Sequence, residues 1–136
     1  MFPITINTII QSDLETVWNC WNQPTHITKW NFASDDWHCP NAEVDLRVGG
    51  FLKSTMAAKD GSFEFEFGGI YEEVVNLQKI RFSMSDGRNV TVQFEELAEG
   101  IRVVETFDPE DQNPLDMQEA GWSAILNNFK KHVESL

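Results

Sequence analysis

The chain has 136 residues, enough for one domain with a single core, and we expect residues 1–136 to form one folded unit. Its formal net charge is −12, from 22 acidic and 10 basic residues, which argues against nucleic acid and anionic membrane surfaces as partners. No segment approaches the ~20 apolar residues of a membrane span, and no secretion signal is recognised, so we expect no membrane insertion, a cytoplasmic location and free thiols at Cys20 and Cys39.

The first thirty residues predict a strand followed by two short helices. Alternation of β-branched and polar residues from Ile4 to Ile10 is typical of a half-buried strand. Ser12-Asp-Leu-Glu15 matches a capping box with Ser12 as the N-cap, and so predicts the start of a helix. Pro24 then begins a second short helix, which carries His26 and Trp30.

Residues 31–42 show no periodicity and predict an irregular loop. His38 and Cys39 are neighbours in this loop, but adjacent residues rarely both reach one metal ion. The other histidines, His26 and His132, lack ligand spacing. We therefore expect no metal site and no cofactor.

The middle of the chain predicts a meander of about six strands. Alternating Val44, Leu46 and Val48 indicate a short strand, residues 51–57 a second, and Lys59-Asp-Gly61 the hairpin turn after it. The clearest strand contains alternating Phe63, Phe65 and Phe67, and the Gly68-Gly69 pair that follows predicts a bulge. Three further strands, around Phe82, Phe94 and Val103, are separated by glycine-containing turns.

The segment 113–136 predicts one long helix, with Asn113 as the N-cap and Pro114 in the first helical position. Its apolar residues recur at steps of three and four, which places them on one face: Trp122, Ile125, Leu126, Phe129, Val133 and Leu136. One helix cannot bury such a face alone. We therefore expect an α+β fold in which a curved antiparallel sheet packs its apolar side on this helix.

Glu105 is the residue that departs from the pattern of the strands. Strict alternation points it inward with Val103 and Phe107, where an unpaired carboxylate would have a raised pKa. Such an acid in a cavity is a candidate site. Alternatively, a bulge could turn Glu105 outward, or a partner such as Arg47 or Arg88 could neutralise it; Glu105 would then have a structural role only. Motifs of hydrolases, kinases, nucleotide-binding enzymes and zinc enzymes are not found in the sequence.

Other polar and aromatic side chains could face an apolar pocket, although aromatic residues at these spacings are by default typical of a packed core. A glycine in the middle of the last helix, Gly121, indicates close packing or space for something else. The candidate ligand-binding residues are Trp30, Trp37, His38, Phe51, Phe65, Phe67, Tyr71, Phe82, Phe94, Glu105, Trp122 and Ile125.

Several short motifs, in this order, resemble one superfamily: Val17-Trp18 with Trp21 and Pro24, Asp45-Leu-Arg-Val-Gly-Gly50, Asp60-Gly61, Gly69-Ile-Tyr-Glu-Glu-Val74, Glu105-Thr-Phe-Asp-Pro-Glu110, and Gln118-Glu-Ala-Gly-Trp122 with Leu126. The chain resembles the SRPBCC superfamily, and within it the single-domain bacterial proteins similar to the carboxy-terminal domain of the activator of the heat-shock protein 90 ATPase. The resemblance implies a START-like helix-grip fold, in which a curved antiparallel sheet of six to seven strands encloses the long helix and leaves a deep apolar cavity. It implies no shared catalytic residue.

Three function hypotheses follow, and the first is preferred. The protein binds a small hydrophobic molecule, aromatic or acyl-chain, between the sheet and the last helix, with an opening near residues 31–40. Alternatively, it is a cyclase or aromatase that uses Glu105 as general base and Tyr71 or His38 as proton donor. The third hypothesis is an interaction protein that contacts a chaperone through its acidic outer face. A homodimer is compatible with the sequence.

Overall fold

The computed structural model describes residues 2–136, in which one strand, two short helices, six further strands and one long helix follow one another in the predicted order. The elements are β1 Ile4–Ile10, α1 Leu14–Asn22, α2 Pro24–Trp30, β2 Trp37–Val44, β3 Phe51–Ala58, β4 Glu64–Val75, β5 Lys79–Ser83, β6 Asn89–Leu97, β7 Gly100–Phe107 and α3 Leu115–Glu134. Of the helices within these residues, none is both long and apolar enough to cross a membrane.

The seven strands form one antiparallel sheet in the order β1-β7-β6-β5-β4-β3-β2. Strands β2 to β7 are a simple meander, and β1 joins it by pairing with β7 over the whole length from Ile4 to Ile10. One face of this curved sheet is covered by the helices, which confirms the predicted α+β helix-grip fold.

The apolar face of α3 is packed into the centre of the molecule. Leu126, Phe129 and Val133 are buried, and Phe129 has no exposed surface. The Phe129 ring lies against Trp21 of α1 and Trp30 of α2, with ring centroids 4.8 and 4.9 Å apart. This half of α3 is therefore held by the two short helices as well as by the sheet. Leu136, predicted to extend the stripe, is 69% exposed because it lies beyond the end of the helix.

Polar contacts fix the carboxy-terminal half of α3 to the amino-terminal part of the chain. The Lys130 ammonium donates to the Ile9 carbonyl at 2.7 Å, and the Gln11 amide donates to the Glu134 carboxylate at 2.8 Å. The Asn128 side chain donates to the Phe32 carbonyl at 2.6 Å. The position of α3 over the sheet is thus set by hydrogen bonds as well as by apolar packing.

The structure corrects both predicted helix caps. Asp13, not Ser12, caps α1: its carboxylate accepts a hydrogen bond from the Thr16 amide at 2.8 Å, and its negative charge suits the positive end of the helix. At α3 the N-cap position is Pro114, which has no side-chain cap, so the prediction for Asn113 was wrong.

The buried side chain of Gln118 replaces a cap at the start of α3. Its amide nitrogen donates to the carbonyls of Glu110 and Asn113, at 3.0 and 2.8 Å, and its oxygen accepts from the Glu110 amide at 2.9 Å. Gln118 therefore fastens the loop that connects β7 to α3.

The edge strand β2 was assigned wrongly from the sequence. Strand β2 begins at Trp37, inside the segment expected to be a loop. It ends at Val44, so Leu46 and Val48 of the predicted strand lie outside it. The pairing of β2 with β3 shifts register between His38 and Asn41. Pro40 lies at this register shift, where its missing N–H is tolerated. The shift interrupts the regular alternation by which a strand is recognised in a sequence.

The bulge expected at Gly68-Gly69 lies further along β4. Pairing with β3 runs through both glycines without a shift, whereas pairing with β5 shifts register between Tyr71 and Glu73. The glycines are instead places of close backbone approach, because a Cβ atom at Gly68 would lie 1.9 Å from the Leu52 carbonyl oxygen.

Candidate ligand-binding cavity

A cavity of about 240 Å³ lies between the inner face of the sheet and α3. All three helices and strands β3, β4, β5 and β7 contribute side chains to its wall, together with the turn between β5 and β6. The wall residues are Trp21, Ile27, Trp30, Asn31, Leu52, Met56, Phe65, Phe67, Phe82, Met84, Arg88, Glu105, Trp122 and Ile125.

The aromatic rings along one side of the cavity are held by one another. Trp122 of α3 stacks in parallel on Phe107 of β7, with ring centroids 4.0 Å apart and 6° between the ring planes. The same indole meets Phe67 in an edge-to-face contact at 5.6 Å, and Phe67 meets Phe82 in the same way at 6.1 Å. These preferred aromatic geometries give this side of the cavity a defined shape.

Glu105 is the carboxyl group in the wall. It lies on β7 opposite Ile6 of β1 and Val92 of β6, which are both buried and apolar. Only 7% of its surface is exposed, so the predicted inward direction is confirmed.

Burial raises the pKa of Glu105 to about 8, and within residues 2–136 no charge or hydrogen bond offsets that burial. The suggested partners are paired elsewhere, since Arg47 bonds Asp45 at 2.9 Å and Arg88 bonds Asp86 at 2.7 Å. The Glu105 carboxyl group is therefore mainly neutral at pH 7 and can both donate and accept a hydrogen bond.

A second polar group, Asn31, follows the last residue of α2. Asn31 is buried, and its amide nitrogen donates to the Ser54 hydroxyl at 3.0 Å, which in turn donates to the Phe67 carbonyl at 3.3 Å. This chain of bonds fixes the orientation of the Asn31 side chain in a mostly apolar wall.

The exposure of the wall residues indicates where the cavity opens. Phe65 is 41% exposed, and Met84 and Arg88 at the turn between β5 and β6 are half-buried. By contrast, Asn31 is 7% exposed. The more exposed part of the wall is therefore the side of Phe65 and this turn. Phe65 also contacts Trp37, with ring centroids 6.0 Å apart, and the opening near residues 31–40 stays a prediction.

The structure brings seven of the twelve predicted site residues into the cavity wall: Trp30, Phe65, Phe67, Phe82, Glu105, Trp122 and Ile125. The other five lie outside it: Trp37, His38, Phe51, Tyr71 and Phe94.

These five residues have other surroundings. Phe94 packs on Trp18 with ring centroids 5.1 Å apart, and Phe51 is 38% exposed. Trp37 lies edge-to-face against Phe63 and Phe65, with ring centroids 6.2 and 6.0 Å apart. His38 belongs to the edge strand β2.

Tyr71 is buried against Phe82, with ring centroids 6.2 Å apart, and burial raises the pKa of its hydroxyl. Neither Tyr71 nor His38 joins Glu105 in the cavity wall, although all three were predicted to meet there.

Seven wall residues were not predicted: Trp21, Ile27, Asn31, Leu52, Met56, Met84 and Arg88. For Leu52 and Met56 a signal existed, because they alternate along a correctly predicted strand and share its inner face. Arg88 and Met84 flank a predicted turn, and only the curvature of the sheet brings that turn over the cavity.

A group of potential metal ligands also forms in the fold, although the spacing of these residues in the sequence does not predict it. His132 is remote in the chain from Cys20 and His26, but the ligand atoms of the three residues are within 4.8 Å of one another in the fold. This group is separate from the cavity wall.

A curved antiparallel sheet that closes over a long carboxy-terminal helix, with an apolar cavity between them, defines a helix-grip protein of the SRPBCC, or START-like, class. A family model described as Activator of Hsp90 ATPase homolog 1-like protein matches residues 11–134. The chain belongs to this family.

Solved structures agree with this assignment. The chain is similar to an AHSA1-like protein from Aeromonas hydrophila, with 46% identity and a TM-score of 0.92 over 98% of this chain and 92% of that one. It is similar to a protein from Cytophaga hutchinsonii, with 45% identity and a TM-score of 0.84 over 97% of this chain and 92% of that one.

A protein from Chromobacterium violaceum, 24% identical with a TM-score of 0.85 over 97% of both chains, shares the fold. Among curated proteins no significant match was found.

Proposed function

We propose that the protein binds a small hydrophobic molecule, with an aromatic ring or short acyl chain and one hydrogen-bonding oxygen, in the cavity between the sheet and α3. The observation that carries the proposal is the cavity itself, an apolar space with the buried acid Glu105 in its wall. Relatives of this fold commonly bind hydrophobic ligands, which supports the same conclusion.

The size and lining of the cavity favour a compact ligand. Its volume of about 240 Å³ exceeds a cavity of ~150 Å³ that binds benzene, and is below the ~300 Å³ at which drug-sized sites begin. Aromatic rings and the flexible side chains of Met56 and Met84 surround this space, so a substituted ring would be in contact with apolar atoms on most sides.

The neutral form of Glu105 supplies the expected polar recognition. A protonated carboxyl group in an apolar site donates one hydrogen bond, which a carbonyl or hydroxyl oxygen of the ligand can accept. Such a bond contributes about 1 kcal/mol net, or roughly a fivefold change in affinity. We therefore expect the cavity to prefer an oxygen-bearing ring over a hydrocarbon of equal size.

Catalysis of the cyclase or aromatase type would need a proton donor beside Glu105. The two predicted donors, Tyr71 and His38, are not in the cavity wall. Ligand binding without a chemical step is therefore the function that this arrangement favours.

Acetophenone and ethylbenzene test the proposal, because they match in size and differ in one accepting oxygen. Isothermal titration at pH 6.5 should show one site for each, with acetophenone bound about fivefold more tightly. The preference should remain in Glu105→Gln, whose amide still donates, and disappear in Glu105→Leu.

The pH dependence gives a further control. Raising the pH from 6.5 to 9 takes Glu105 through its pKa and should abolish the preference for acetophenone in the unaltered protein, but not in Glu105→Gln. If neither compound binds up to its solubility limit, or if Glu105→Leu keeps the full preference, the proposal is wrong.

A further inference from the structure

Three side chains with nitrogen and sulfur ligand atoms meet where the three helices come together. Cys20 lies in the last turn of α1, His26 in the first turn of α2 and His132 in the last turn of α3. One ligand atom from each residue lies within 4.8 Å of the others. Cys20 is buried, while both histidines are half-buried.

We propose that Cys20, His26 and His132 form a binding site for a borderline-soft divalent metal ion, Zn²⁺, with the thiolate and two imidazoles as ligands and one position open to solvent. Two histidines and a cysteine are ligand types that Zn²⁺ prefers. The half-buried imidazoles leave access for a water molecule as the fourth ligand.

The distances fit such a site after a small adjustment. His26 Nδ1 and His132 Nε2 are in direct hydrogen-bond contact at 2.9 Å, with ring centroids 5.1 Å apart. Tetrahedral zinc with Zn–N bonds of about 2.1 Å places two nitrogens roughly 3.4 Å apart. The two nitrogens therefore need to separate by about half an ångström. The Cys20 sulfur, which lies within 4.8 Å of both nitrogens, has to come to about 3.6 Å from each of them.

The direct contact between the imidazoles favours ligand-competent protonation states. A hydrogen bond between two ring nitrogens requires at least one of them to be unprotonated.

The surrounding charges act in both directions. His132 is near the carboxy-terminal, negative end of α3, which favours a cation. The positive charge of Lys29, which acts on His132, opposes the binding of a cation. The negative charge of Asp13, which acts on Cys20, favours it. Burial raises the pKa of the Cys20 thiol, so metal binding must displace its proton, as Zn²⁺ does at thiol ligands.

A bound ion would connect the α1–α2 pair to the end of α3 and so stabilise the position of the gripped helix. The site is independent of the apolar cavity, whose wall does not include any of the three ligands. Metal binding can therefore fail or succeed without deciding the function proposed above.

Titration of tag-free, full-length protein with Zn²⁺ tests the proposal. We expect one equivalent to bind, with an accompanying rise in the melting temperature. His26→Gln and His132→Gln should each weaken binding by about a hundredfold or more. His38→Gln and Cys39→Ser are matched controls, because they alter the remaining histidine and cysteine outside the cluster and should leave the affinity unchanged.

Co²⁺ gives a spectroscopic readout of the sulfur ligand. The unaltered protein should show a thiolate-to-cobalt charge-transfer band in the near ultraviolet, and Cys20→Ser should lose it while Cys39→Ser keeps it. If Cys20→Ser fails to fold, as judged by circular dichroism, the two half-buried histidine variants still decide the matter. Absence of Zn²⁺ binding in the unaltered protein, or equal binding after both histidine substitutions, would overturn the proposal.

Discussion

The buried carboxyl group of Glu105 makes a quantitative prediction about stability and pH. In the unfolded chain its pKa is near the ordinary value of 4.5, whereas in the fold burial raises that pKa to about 8. The folded state therefore binds more protons than the unfolded state between these values, so its free energy of unfolding falls as pH rises through this window. The stabilising contribution is complete below about pH 4.5 and lost above about pH 8.

The magnitude follows from the interval between the two pKa values. Each pKa unit is worth about 1.4 kcal/mol, so the whole interval corresponds to at most roughly 5 kcal/mol. Restricted to the range from pH 5 to pH 8, the expected loss in the free energy of unfolding is about 3 kcal/mol. Glu105→Gln keeps the shape of the side chain and removes its titration, so this loss should disappear.

Urea unfolding followed by tryptophan fluorescence at pH 5, 6.5 and 8 measures the effect. The His132 pKa is lowered in the fold, so that residue contributes stability that rises with pH, but it does so equally in both proteins and cancels in their difference. Glu105→Gln should become the more stable protein as the pH approaches 8. If both proteins show the same dependence from pH 5 to pH 8, the assignment of Glu105 as a buried, neutral acid is refuted.

Three further predictions concern backbone positions, each measured as a change in the urea midpoint. Asp13→Ala should destabilise the protein by about 1 kcal/mol because α1 loses its N-cap, whereas Ser12→Ala should have little effect. A larger loss of stability in Ser12→Ala than in Asp13→Ala would instead support Ser12 as the N-cap. Gly68→Ala should destabilise by more than about 3 kcal/mol, since its φ is +148° and a Cβ would clash with a neighbouring carbonyl, and a mild effect would contradict this contact. Gly121→Ala should stabilise by up to about 1 kcal/mol, because its Cβ would meet no atom within 4 Å, and a loss of stability would contradict that open space.

The overall fold could be predicted from the sequence because periodicity records which faces are buried. The stripe on α3 and the alternation in β1 are both local patterns, and each requires an apolar partner surface. The predictions of β2 and of the N-cap of α1 were wrong because a second local feature was present in each segment. Pro40 interrupts the alternation of β2 at a register shift. Ser12 and Asp13 are adjacent residues of similar capping preference, and the structure uses Asp13.

The candidate site was predictable only in part, because a cavity depends on distances between elements that are remote in sequence. The inward direction of Glu105 follows from alternation along one strand, and the structure confirms it. The meeting of Cys20, His26 and His132 has no local signal, since helix packing alone brings them together. Tyr71 lies at the register shift between β4 and β5, which the sequence pattern had placed at Gly68-Gly69, and it is not part of the cavity wall.

Native mass spectrometry of freshly purified protein measures occupancy of the cavity most directly. Ile125→Trp places an indole in the cavity wall, whereas Met117→Trp adds the same group to an exposed position on the same helix. The unaltered protein and Met117→Trp should each carry one small hydrophobic molecule, either copurified or taken up from added acetophenone, and Ile125→Trp should carry none. Equal occupancy in all three proteins, or none in the unaltered one, would contradict a ligand site between the sheet and α3.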